Sequence, residues 1–409
     1  MTDLAIDCAR LLDGTGAGPI EDARLLVADG RVEDIGGQES LDVPDDAEHV
    51  TYPESTVIPG LIDAHLHLMG TRSMDPFDWI RTPPTQGAAR ATADLRDLVS
   101  AGFTAVRDVG SATGIGLRDA VDEEAIPGPR VYTSGKSISQ TGGHGDAHYL
   151  PHQWVREEDE RGISSLADGP TEWRKEARKR IRDGTDLVKI MTTGGVLSEK
   201  DAPDQSQMTD AEIRAVVEEA HRVGIPVASH AQGSEGILNA LENGVDTIEH
   251  GFWLTDEVIE AFHETGATFV PTLAIMHRIC EHGDEHGVPE YGLEKARNAR
   301  EAHFESVQKA YEADVPIALG TDFLGPELVP HGENVLEAEL FVEEVGMSES
   351  EAIQAGTRVA ARALGAEDLG TLEPGNHADV AVVDGDPLDD IGALHEVRTV
   401  YKGGSEVGV

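Results

Sequence analysis

Positive charge is what this chain of 409 residues has least of. Lysine and arginine total 32 against 77 aspartates and glutamates, a formal net charge of -45. A nucleic-acid partner is thereby excluded as an expectation, because phosphate binding needs a basic surface. The acidic residues are spread along the chain among ample apolar ones, so an acidic disordered tail is excluded too. A folded protein with an acidic coat is expected, suited to a salt-rich halophilic cytoplasm where screening makes such self-repulsion tolerable. Cysteine is nearly absent, and the 2 present, Cys8 and Cys280, lie far apart and imply no disulfide framework. No apolar run approaches the roughly 20 residues of a helical membrane span. The opening Met-Thr-Asp-Leu-Ala-Ile-Asp-Cys lacks a charged-then-apolar leader pattern, so a cytoplasmic protein with no membrane partner is expected.

The stretch Val57-Ile58-Pro59-Gly60-Leu61-Ile62-Asp63-Ala64-His65-Leu66-His67 reads as a turn followed by a buried strand. His65 and His67 are two apart, so on an extended strand both imidazoles point to one face. Alone, the pair fits either half-buried histidines or a seat for a divalent metal. Four later pieces each end a short apolar run with a possible ligand: Lys189 in Asp-Leu-Val-Lys-Ile-Met, His230 in Ile-Pro-Val-Ala-Ser-His, His250 in Val-Asp-Thr-Ile-Glu-His-Gly, and Asp322 in Ile-Ala-Leu-Gly-Thr-Asp. In a parallel barrel, residues at the C-terminal ends of different strands converge on one mouth.

In this order the residues resemble the metal-dependent amidohydrolase superfamily, over nearly the whole chain. Ser134-Gly135, the run 138–146 with Gly142-Gly143-His144-Gly145-Asp146, and the run 189–196 with Gly194-Gly195 are similar to a binuclear prolidase-like and zinc-dependent carboxypeptidase-like subgroup. Its members include Xaa-Pro dipeptidases, arginine carboxypeptidases and an ochratoxin-hydrolysing amidase. The resemblance implies an α/β fold, a (β/α)8 TIM-like barrel over residues 59–370 with a small β-sandwich domain from 1–58 and 371–409. Barrel strands are expected at 61–67, 103–108, 130–135, 185–191, 225–230, 245–249, 267–272 and 316–321. Helices are expected at 171–182 and 209–223, the second opened by Thr209 with Glu212 at the third helical position. In the terminal parts, Asp29-Gly30 marks a hairpin turn, and 378–383 and 397–402 read as strands. Residues 139–170 and 273–292 read as loops at the active face, the second carrying His277, His282 and His286 as solvated residues. His221 and His263 sit on helical patterns and read as surface.

The resemblance implies a ligand set: His65, His67 and Asp322 on a first divalent ion, His230 and His250 on a second, and Lys189, as a carbamate formed with carbon dioxide, bridging them. A buried amine at a strand end is costly as a cation, which favours its neutral, reactive form. Zinc suits the mixed ligands, with manganese or cobalt as alternatives. Two ions would lower the pKa of a shared water and yield a hydroxide nucleophile. Asp322 would carry its proton to the leaving group. His144, Gln232, Gly194 and Gly195 are the expected substrate contacts, with His144 also counted as catalytic, near the substrate carboxylate or the polarised carbonyl. Some subgroup members have tyrosine or histidine where this chain has Gln232, which puts a carried-over specificity in doubt. Mononuclear deaminases of the superfamily carry a glutamate three residues after the match to His230; here Gly233 stands there. The expected reaction is amide hydrolysis, releasing the C-terminal residue of dipeptides or N-acyl amino acids, small-molecule substrates. An acidic pocket accepting a basic side chain is a further option. Cyclic amides, lactones or organophosphate esters are the alternative substrates, and a scaffold that has lost its ligands is the non-enzymatic alternative. A homo-oligomer is expected, as among relatives.

Overall fold

The computed structural model describes residues 2–157 and 164–408. Strands β1 (Leu4–Leu11), β2 (Ile20–Ala28), β3 (Arg31–Gly37) and β4 (Glu48–Pro59) open the chain. Next come β5 (Leu61–Leu66), β6 (Phe103–Asp108), β7 (Arg130–Thr133), β8 (Ser137–Ser139), β9 (Ser164–Leu166), β10 (Val188–Met191), β11 (Val227–Ala231), β12 (Thr247–His250) and β13 (Thr268–Val270). Strands β14 (Val380–Asp384), β15 (Val397–Lys402) and β16 (Ser405–Glu406) close it.

One 7-stranded sheet joins the two ends of the chain in the order β16-β15-β14-β4-β1-β2-β3. The β2–β3 turn is made by Asp29 and Gly30, both with positive φ (51° and 74°), the primed geometry that matches strand twist. Leu4, Ile6 and Cys8 alternate into a core with Leu25, Val27, Val57, Val380 and Val382.

The middle of the chain alternates strands and helices around a parallel sheet, the pattern of a TIM-like barrel. Strands β5-β6-β7 form one parallel set, and β13-β12-β11-β10 with β8 and β9 form another. The amide of Asp186 donates to Thr133 O across one gap at 2.9 Å. Across the other, the expected strand at 316–321 makes one isolated bridge, Ile317 with Phe269, and Phe323 just beyond it bridges Leu66, instead of a continuous ladder. Pro316 has no N–H to contribute, and the amide of Leu319 donates to Ala355 O at 2.9 Å, where a helix opens into a π turn. The expected helices are present as Gly169–Asp183 and Asp210–Arg222, the latter with a complete Thr209–Glu212 capping box.

The segment 273–292 is not the loop expected from sequence. Leu273–His282 is a helix whose buried Ile275, Met276 and Ile279 recur at helical spacing. Its capping signal is remote: the Glu337 carboxylate accepts from the amides of Leu273 (2.9 Å) and Ala274 (2.6 Å). His282 is exposed, while His277 and His286 are half-buried. His221 and His263 are exposed. Of the expected loop 139–170, residues 158–163 lie outside the described residues.

Candidate metal centre and substrate cavity

His65 and His67 leave the end of β5 toward the mouth, and Asp322 meets them from the segment after Ile317. Asp322 Oδ1 lies 3.1 Å from His67 Nε2 and 3.5 Å from His65 Nε2. The other ring nitrogens are committed: His67 Nδ1 donates to Gly110 O at 2.9 Å, and His65 Nδ1 to Glu249 Oε2 at 2.6 Å. Both Nε2 atoms thus face Asp322 Oδ1, an arrangement that is satisfied either by protons on the rings or by a cation that takes the lone pairs of all three. Burial alone would raise the Asp322 pKa, yet the facing imidazoles of His65 and His67 hold it well below the carboxylate range. Ligand atoms of His65, His250 and Asp322 all fall within 4.8 Å of one another, close enough for one ion.

His230 and His250 come from β11 and β12, with ring centroids 4.6 Å apart; His250 is 4.9 Å from His65. His230 Nε2 donates to Gly194 O at 2.9 Å, and His250 Nδ1 lies 2.8 Å from Thr272 Oγ1. Each ring thus keeps one nitrogen for a ligand. Burial drives both pKa values well below the ordinary histidine value, so both rings are neutral, as ligation requires. Strand alternation would put His250 on the opposite face from Glu249. A left-handed φ of 76° at His250 re-aims it, and Thr272 (57°) and Asp322 (58°) share that conformation. Each such residue costs about 1–3 kcal/mol, and such strain clusters at functional sites.

Lys189 sits in β10, buried, and its Nζ has no hydrogen-bond partner among the described residues. Burial, reinforced by Arg107, pushes its pKa down to about 8, against the opposing pull of Glu249 and Asp322. A partnerless buried amine of lowered basicity has the chemistry of a carbamate-forming lysine, and the donor set as a whole fits divalent metal ions.

Two of the buried residues that escaped the sequence reading stand directly behind His65. Glu249 accepts from Arg107 Nη2 at 2.9 and 3.1 Å while holding His65, and both are fully inaccessible to solvent. Burial would raise the Glu249 pKa, but Arg107, Lys189 and His65 hold it far below its ordinary value. The available signal was Thr247-x-Glu249, two polar residues on one face of a strand otherwise expected to be apolar.

A cavity opens above the centre, lined by His144, Gln232, Asp146 and Glu199 and by an apolar wall with Met69, Trp79, Ile80, Ile275, Met276 and Leu324. The wall suits an apolar group, and Asp146 and Glu199 are the carboxylates that a basic side chain would meet. The ring of His144 stacks on His230 at 4.0 Å. Gln232 Oε1 is buried without a partner among the described residues. Gly194 and Gly195 do permit close approach, but what approaches is protein: Ala202 O at Gly194 and the His144 ring at Gly195.

Residues 56–407 match the model of the amidohydrolase family. The chain belongs to this family. It is a hydrolase of amide bonds. It is 32% identical to the ochratoxinase of Aspergillus niger over 416 aligned positions, covering 96% of this chain and 84% of that protein. The crystal structure of A. niger ochratoxinase superposes with a TM-score of 0.90, covering 98% of this chain and 95% of that one. A prolidase complexed with N-methylphosphonate-L-proline gives a TM-score of 0.92 at 31% identity, covering 99% of both chains. A Xaa-Pro dipeptidase with methionine bound in its active site gives 0.89 at 34% identity, covering 98% of this chain and 99% of that one. Metal dependence is typical of the amidohydrolases, and among the described residues of this one the cluster of His65, His250 and Asp322 is a possible metal site. No helix among its described residues is long and apolar enough to cross a membrane.

Proposed function

We propose that this amidohydrolase releases the C-terminal residue of dipeptides or N-acyl amino acids. The observation that carries the reading is the convergence of histidines, lysine and aspartate from separate strands beneath one partly apolar cavity. His65, His67, Lys189, His230, His250 and Asp322 would hold two divalent ions, zinc foremost, with Lys189 as the bridging carbamate. Bound there, such ions supply Lewis acidity toward a carbonyl oxygen and make water more acidic. The chain's own residues then divide the work. Asp322 uses Oδ1 toward the imidazoles, which leaves Oδ2 to accept a proton from the attacking water and return it to the leaving amine. Net, a C–O bond forms, the C–N bond breaks, and one proton moves from water to nitrogen. Glu249 fixes the ring of His65, and Thr272 that of His250. His144 and Gln232 contact the substrate, and the wall of Ile275, Met276 and Leu324 takes an apolar side chain or acyl group.

The test is a hydrolysis panel of dipeptides and N-acyl amino acids, with lactones, cyclic amides and a phosphotriester beside them, in the presence of zinc or manganese and bicarbonate. Turnover confined to the first set is expected. Turnover confined to the second would keep the centre and refute the substrate class. We also infer a salt-rich cytoplasm as the working environment, from the net charge of -45. Thermal stability is expected to rise with potassium chloride; a fall would contradict this.

A further inference from the structure

Behind His144 lies a chain of buried polar groups whose proton positions follow from one another. The first link is unambiguous, because a backbone N–H only donates: the His144 amide donates to Gln207 Oε1 at 2.9 Å. That fixes the Gln207 amide, so its Nε2 donates to Asp201 Oδ2, also at 2.9 Å. Asp201 is therefore an acceptor, and Lys295 Nζ stands 3.6 Å from its Oδ1. Burial works against the charge on Asp201, but His144, Ser198, Gln207 and Lys295 keep its pKa below the ordinary value. The Ser198 hydroxyl makes its tightest contact with Asp201 Oδ1. A hydroxyl has one proton, and an anionic oxygen takes it in preference to the Gly195 carbonyl at 3.1 Å. Ser198 Oγ is left as an acceptor toward His144 Nδ1, 2.9 Å away.

We propose that Ser198 and Asp201 are positioning residues that hold His144 in the tautomer protonated at Nδ1, so that Nε2 meets the substrate as a hydrogen-bond acceptor. Its partner is then an N–H or O–H of the substrate and not a carboxylate, which an unprotonated nitrogen would repel. The support is rigid. Lys295, from the helix Glu290–Glu312, donates to the carbonyls of Gly195 (3.0 Å), Ser198 (2.5 Å) and Asp201 (2.6 Å). Gly195 has no side chain where the ring lies. The substrate half of this proposal rests on the cavity being the amide-binding site; the tautomer does not.

The experiment is histidine-selective 15N NMR on the full-length, metal-loaded protein, with His144 assigned by its loss in His144→Gln. The expected spectrum has a protonated Nδ1 and a pyridine-like Nε2. In Asp201→Asn, Gln207 still donates to the new carbonyl and the new amide donates to Ser198, whose hydroxyl, no longer drawn to an anion, can turn to His144 Nδ1 or to the Gly195 carbonyl. The preference for the Nδ1-protonated tautomer is expected to weaken, and kcat/KM on amides to fall about 10- to 100-fold, the usual cost of losing an orienting partner. Ser198→Ala is expected to weaken the preference for the Nδ1-protonated form, and Ser198→Thr to restore it. A wild-type His144 protonated at Nε2, or a tautomer ratio unchanged in both Asp201→Asn and Ser198→Ala, overturns the proposal. A tautomer preference that weakens in these variants of a protein inactive on every amide would support the relay and count against the substrate reading.

Discussion

Glu249→Gln is expected to cost this protein a large part of its stability. Glu249 and Arg107 are both at 0% side-chain exposure. The guanidinium also donates to Ala64 O, to Thr247 Oγ1 at 3.0 Å and to Ala363 O at 3.1 Å, tying β5, β6, β12 and a late helix together inside the barrel. Glutamine keeps the shape of the side chain and an oxygen for His65 Nδ1, but leaves a buried guanidinium without its counter-charge. Breaking a buried pair from one side costs about 3–5 kcal/mol, against a whole-domain stability of about 5–15 kcal/mol. Chemical unfolding followed by tryptophan fluorescence at low and high potassium chloride measures it. The loss is expected to be similar at both concentrations, because a fully buried pair is poorly screened. The double change Arg107→Met with Glu249→Gln is expected to cost less than the two single changes added together. A single Glu249→Gln variant within about 1 kcal/mol of the parent would refute the reasoning.

Lys189→Ala is expected to lower the bound metal per chain and abolish turnover while circular dichroism stays unchanged; full metal content with normal turnover would remove the carbamate from the account. Met276→Asp, on the apolar wall, is expected to raise KM for apolar substrates about tenfold with kcat little changed, the pattern of lost uniform binding; unaltered kinetics would move the substrate elsewhere. Asp7, held at 2.6 and 2.7 Å by Arg24, has its pKa lowered: burial opposes the charge, but Arg24 and His49 outweigh it. Its contribution is therefore present above the ordinary aspartate range and lost as pH falls through and below it. The stability gap between the parent and Asp7→Asn should narrow on acidification, and a gap that widens would contradict the sign.

Much of the barrel was legible in sequence because its strands are short apolar runs that end in polar residues of one chemical kind. Phe103–Asp108 has the bounds expected, and β10 to β13 fall within a residue or so of the expected runs at their C-terminal ends, except β13, which stops earlier. What escaped depends on groups far apart in the chain. The helix Leu273–His282 is capped by Glu337, so no local cap announces it. The segment near Ile317 spends an amide on a helix carbonyl, which strand patterning does not foresee. Of the site, the ligand candidates were visible as strand-end residues, whereas Arg107 and Glu249 were not. Nor were Ser198, Asp201 and Lys295, whose meaning lies in hydrogen bonds to His144. The positive φ of His250, which turns it toward the other imidazoles, leaves no mark in composition or spacing.

The most direct test of the central claim is turnover and metal content of Asp322→Asn, measured on one sample against the parent with the amide found in the panel. The account predicts a folded protein with kcat lower by about a thousandfold or more, since Asp322 both holds metal and moves the proton. Turnover within tenfold of the parent would contradict it and place the amide chemistry outside this cluster.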